Sequence, residues 1–156
     1  MRRKICVVLL TAVLSTATCL NASAATPDFT GRWKLNVQRS EFGNFLPLTK
    51  LTDEITQSET ALNIRRTQAN EEREVSSEIV YKFGETTVSK LPTGESHTTV
   101  TWEGPVMVVD LRIVTSIHLQ VVDRWSLSPD GRTLRIVRRY GNDKGSVSQT
   151  LILEKE

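Results

Sequence analysis

Six polar side chains in this 156-residue chain stand where apolar residues are due. Asp123 is bracketed by Val121 and Trp125, and Arg138 by Ile136 and Tyr140. In a strand, residues two apart share a face, so the charges and the Tyr140 hydroxyl point to the side that must bury Trp125 and Ile136. Arg66 follows Leu62 and Ile64 in the same way, and Ser77, Thr98 and Gln149 are polar members of the same inward set. A buried charge is costly without a partner, so this pattern predicts pairing or hydration. Two readings compete. Arg138 and Tyr140, with Arg66 and Asp123, form a polar site in an apolar cavity, suited to a small amphipathic anion. Alternatively Asp123 neutralises Arg138 or Arg66, and the pair is structural. A bulge near Asp123 would turn it outward.

The elements that carry these residues are strands. Trp33, Leu35 and Val37 alternate with Arg32, Lys34 and Asn36, predicting a first strand over Gly31 to Val37 with Trp33 closing the floor of a barrel. Short alternating runs follow at 51–57, 61–67, 74–83, 86–91, 96–103, 106–114, 117–127, 132–140 and 146–154, with turn residues such as Pro129-Asp130-Gly131 between them. The inward set includes Val75, Ile79, Tyr81, Ile117, Val147 and Leu151. The expected fold is all-β: one antiparallel up-and-down meander of 8–10 strands, closed into a barrel or strongly curved sheet. Between the first two strands, Phe42, Phe45, Leu46 and Leu48 are too apolar for a solvated loop. They predict a short helical turn or lid over one barrel end, acting as plug or gate. Trp33, Trp102 and Trp125 read as core, with Trp102 and Trp125 also able to line an aromatic pocket.

Residues 1–25 read as a removable signal peptide: Arg2, Arg3 and Lys4, an apolar run from Ile5 to Leu14, and Ala22-Ser23-Ala24 before cleavage after Ala24 or Ala25. The expected domain is 26–156, and the expected destination is a periplasm or the extracellular space. Both cysteines, Cys6 and Cys19, lie in the leader, so the domain must rest on its apolar core. The whole chain carries +2, but removing the three leader cations leaves 17 basic residues against 18 acidic. A near-neutral domain gives no reason to invoke nucleic acid. An outer-membrane barrel needs an apolar outer face, whereas the outward positions here hold Arg32, Lys34, Arg135, Arg139, Ser148 and Thr150.

The segment Phe29-Thr30-Gly31-Arg32-Trp33-Lys34-Leu35-Asn36, together with Asp123-Arg124-Trp125-Ser126-Leu127-Ser128-Pro129-Asp130-Gly131, resembles small bacterial exported lipocalin-like (calycin-type) proteins. That resemblance spans nearly the whole expected domain and implies a small apolar ligand inside the barrel. Arg138-x-Tyr140 also resembles the Arg-x-Tyr pair that fatty-acid-binding proteins use for a carboxylate, although there it lies on the last strand.

The expected function is an exported binding protein for a small apolar or amphipathic ligand. Its alternative is an envelope interaction or structural module with a solid core, whose protein partner the sequence does not name. No catalytic constellation, cofactor motif or metal-ligand cluster is recognisable; His97 and His118 read as surface or turn residues.

Overall fold

The computed structural model describes residues 26–115, 118–142 and 144–156; the leader, both cysteines and Ile117 lie outside them. Ten strands follow in chain order: β1 Gly31–Leu35, β2 Lys50–Gln57, β3 Ala61–Ala69, β4 Glu74–Lys82, β5 Thr86–Leu91, β6 Gly94–Glu103, β7 Val106–Val114, β8 His118–Leu127, β9 Thr133–Asn142 and β10 Gly145–Lys155. They form one antiparallel sheet in the order β4-β3-β2-β1-β10-β9-β8-β7-β6-β5. Apart from β4 and β5, each strand pairs with its sequence neighbour, and β1 pairs with β10, so the sheet curls into a nearly closed barrel. The interruption lies between β4 and β5, which share no ladder; Phe83 spans it through a bridge to Val100.

Alternation decides what fills the barrel. Trp33, Leu62, Met107, Trp125, Leu134, Ile136, Leu151 and Leu153 are sealed in one cluster toward the end where the chain enters. Phe29 stacks on Trp102 with ring centroids 6.1 Å apart and meets the edge of Trp125 at 5.9 Å. The Trp33 indole N–H donates to the Phe29 carbonyl at 2.8 Å, fixing the entering chain beneath the barrel. Gln57 holds the same segment, accepting from Phe29 N and donating to the Pro27 carbonyl. Arg32, Lys34, Arg135, Arg139 and Ser148 are exposed on the outside. Among the described residues no helix is long and apolar enough to cross a membrane.

Three expectations need correction. β1 stops at Leu35 rather than Val37, because the Asn36 side chain accepts from Arg39 N and turns the chain into a 3-10 turn, Val37–Arg39, that leaves Val37 exposed. That turn is the only helical part of the lid; the remainder is irregular backbone. It runs beside β10, where Glu41 and Thr150 exchange backbone hydrogen bonds, and so covers an edge that the short β1 leaves unpaired. Finally, Val75, Ser77 and Val147 face inward by register but are exposed, because Val75 and Ser77 lie on β4, the edge strand at the interruption, and Val147 lies beside the β9–β10 turn.

Candidate ligand-binding site

The barrel is packed with apolar side chains toward the Trp33 end; beyond its charged residues Leu51 and Val121 are still buried, whereas Val75, Leu91 and Val147 stay accessible. Asp53 on β2 and Arg66 on β3 are directly opposed in the ladder. Arg66 Nε and Nη2 donate to the two Asp53 oxygens at 2.8 and 2.7 Å. Asp123 on β8 and Arg138 on β9 repeat the arrangement, with the same two nitrogens donating at 2.7 and 2.5 Å. The strand order sets the two forks on facing walls, near enough for the guanidinium charges to act on one another. Burial opposes both guanidinium charges, but the carboxylate hydrogen bonds outweigh it, and Arg66 and Arg138 are held above the ordinary arginine range.

Tyr81 lies within the field of all four charges. Burial pushes its phenol above the usual value, so it is a neutral donor at physiological pH. Its ring meets Trp125 edge-on, with centroids 6.2 Å apart. Arg138 Nη1 reaches the Tyr140 hydroxyl only at a long 3.5 Å, and its guanidinium lies over the Tyr140 ring. Arg66 Nη1 has no acceptor among the described residues. It is not sealed either, because Trp125 Nε1 is the one described buried side-chain polar atom lacking both partner and access.

Beyond the charges, apolar side chains face inward yet remain accessible: Val75 is 40% exposed, Leu91 36% and Val147 39%. Leu111, Ile113, Leu119 and Tyr140 are half-buried on the same inner surface. Together with the two ion pairs, these inward groups line the part of the barrel interior away from Trp33, which we call the cup. The lid segment crosses it. Phe45 packs on Tyr140 with centroids 4.6 Å apart, Phe42 and Leu48 pack against the core, and Leu46 is 67% exposed.

The site residues read from alternation therefore separate into two groups. Arg66, Asp123, Arg138 and Tyr140 come together at the base of the cup. Trp102 and Trp125 lie one inward step toward the floor from Val100 and Asp123, at the packed end, where Trp125 is wholly sealed. The expected outward flip of Asp123 by a bulge does not occur, since its ladder to Arg138 is continuous. Asp53 and Tyr81 complete the cluster. Asp53 was legible from Leu51-x-Asp53-x-Ile55, which alternates as the other strands do.

His97 hydrogen-bonds Glu95 and His118 is exposed at the start of β8. No group of three or more His, Cys, Asp or Glu among the described residues is placed to hold a metal ion.

No family model and no curated protein matches the chain. Solved structures do. A secretory abundant heat soluble (SAHS) protein of Ramazzottius varieornatus aligns over 84% of this chain and 98% of its own, at 14% identity and TM-score 0.56. Secretory abundant heat soluble protein 4 of the same organism aligns over 82% and 94%, at 12% identity and TM-score 0.56. Zebrafish ileal bile acid-binding protein, complexed with cholic acid, aligns over 82% and 98%, at 14% identity and TM-score 0.54. At these identities the likeness is one of fold. The chain is a ten-stranded antiparallel barrel of the lipocalin and calycin type.

Proposed function

We propose that this chain is an exported binding protein that carries a small apolar or amphipathic molecule in the cup of its barrel. The observation that carries this reading is the set of accessible inward apolar side chains above the paired charges. An interior meant only as structural core would bring such groups into contact. That a fold neighbour is a bile acid-binding protein is consistent with the reading, and the Arg2-Arg3-Lys4 leader supports export.

Native mass spectrometry of the processed protein, purified from its own envelope without detergent, tests both parts. A start at Thr26 or Ala25 is the expected result for export, with a defined extra mass that is lost on denaturation. A clean apo mass that stays unchanged against a broad panel of apolar small molecules would overturn the ligand reading. It would shift the weight to an interaction module, for which Leu46 at the lid tip is the exposed apolar contact.

A further inference from the structure

The cup's charges are already balanced, and this bears on which ligand it takes. Two guanidiniums face two carboxylates at its base. Asp53 is wholly buried and Asp123 is 3% exposed. The forks cover their oxygens, so the acceptors are turned into protein. What remains unpaired is donors. Arg66 Nη1 has no acceptor among the described residues, Arg138 Nη1 has only the long contact to Tyr140, and the Tyr81 phenol is close by. The inner wall is also divided by chemistry. The β4–β6 sector presents Ser77, Thr87, Ser89, Ser96 and Thr98 beside Val75 and Leu91, whereas β7–β10 presents mainly aliphatic groups and Tyr140.

We propose, on the reading that the cup holds a small ligand, that this ligand is uncharged: an apolar body bearing a carbonyl, ester or hydroxyl oxygen that accepts from the unspent N–H groups of Arg66 and Arg138. A carboxylate entering the site would add an uncompensated buried charge to a neutral cluster. If it took Arg138 for itself, it would strand Asp123 in the interior without a cation, which is the costly way to break a buried pair. A neutral oxygen receives hydrogen bonds from charged donors and leaves both forks intact. The aspartates thus act as selectivity residues, spending the charge that would otherwise attract anions, while the hydroxyl sector accommodates a second polar edge on the same molecule.

The test is titration calorimetry on the delipidated, processed protein with two bodies, a straight medium-length alkyl chain and a fused-ring hydrocarbon. Each is supplied with an alcohol, ketone, carboxylate or ammonium head. The alcohol or ketone is expected to bind at least about tenfold more tightly than the carboxylate or ammonium on the same body. Asp123→Asn, which keeps the shape and removes the charge, is expected to move the ratio toward the carboxylate by about tenfold or more. Asp53→Asn makes the same prediction from the facing wall should Asp123→Asn fail to fold. A carboxylate that binds wild type as well as the alcohol, or a ratio unmoved in the folded variants, would overturn the proposal while leaving the cup as a ligand site. Binding by none of the eight compounds would remove the cup itself, and the proposal with it.

Discussion

Asp53 and Arg66 stand directly across from each other on β2 and β3, and the carboxylate receives two parallel hydrogen bonds from one guanidinium, at 2.8 and 2.7 Å. Both residues are buried, so each needs the other. Removing one partner leaves an uncompensated charge in the interior, at a cost of about 3–5 kcal/mol. Asp53→Ala is therefore expected to lower unfolding free energy by about that amount in urea titrations. Replacing both residues together, as Asp53→Leu with Arg66→Met, is expected to recover most of the loss. A single variant within about 0.5 kcal/mol of wild type would show that the pair is not held as described.

Trp33 closes the packed end. It is sealed, donates to the Phe29 carbonyl, and has the Lys155 ammonium 5.3 Å above its ring. Trp33→Ala is expected to cost about 3–5 kcal/mol by calorimetry or denaturant titration. Trp33→Phe keeps most of the volume and loses the hydrogen bond, so it should fall between wild type and the alanine variant. If both variants cost the same, the tethering of Phe29 contributes nothing.

Period-two alternation made the barrel legible, along with three of the four paired charges. Arg66, Asp123 and Arg138 interrupt apolar faces, and a charge on such a face must be paired. The pairing itself was not legible, because Asp123 had two candidate cations and Asp53 sits beside Glu54, an equally charged neighbour on the opposite face. Alternation puts Asp53 on the inward face, and the register of β2 against β3 sets it opposite Arg66. Alternation also cannot say what packs over an inward side chain. Val75 and Val147 obey the pattern that buries Leu62 and Leu151, yet Val75 stands on the edge strand β4 and Val147 beside the β9–β10 turn, where nothing packs over them. The lid followed from its apolar content, but its path followed from something else: β10 has eleven residues and β1 five, and the exposed edge that results must be covered.

The lid depends on Gly43. Its φ is +58°, a region that disfavours side chains, and a Cβ there would lie 2.6 Å from the Ser148 carbonyl oxygen on β10. Backbone cannot give way as a flexible side chain can, so Gly43→Ala is expected to lift the lid from β10. The expected readout is faster hydrogen exchange at Glu41 and Thr150, whose amides pair across that boundary, with the Trp33 core still protected.

Phe45 separates a gate from a plug. Its ring rests on Tyr140 at the base of the lid, and it is only half-buried. If the segment gates the cup, Phe45→Ala should speed ligand release by about tenfold or more in stopped-flow displacement, while costing less than about 1 kcal/mol in stability. Unchanged release with a loss of several kcal/mol would identify Phe45 as a plug of the core.

Alkali should weaken the fold through Tyr81. Burial holds its phenol above the unfolded value of about 10, so in the folded state the proton stays on where the unfolded chain has lost it. Above that pH the native state binds more protons than the unfolded state, and stability falls as pH rises toward the folded value; below it, the contribution is fully present. The urea midpoint is expected to hold from neutrality to about pH 10 and then decline. Tyr81→Phe keeps the ring edge on Trp125 and removes the ionisation, so part of that decline should disappear. The acid limb has the opposite sign and other residues. Glu103 is held below its ordinary value by hydrogen bonds from Arg124, and Glu154 by those from Asn36 and Arg39, so their contributions are lost as pH falls through the folded values. Tyr81→Phe should leave that limb in place. If it moves both limbs alike, the alkaline loss belongs to general destabilisation and the buried phenol is not its cause.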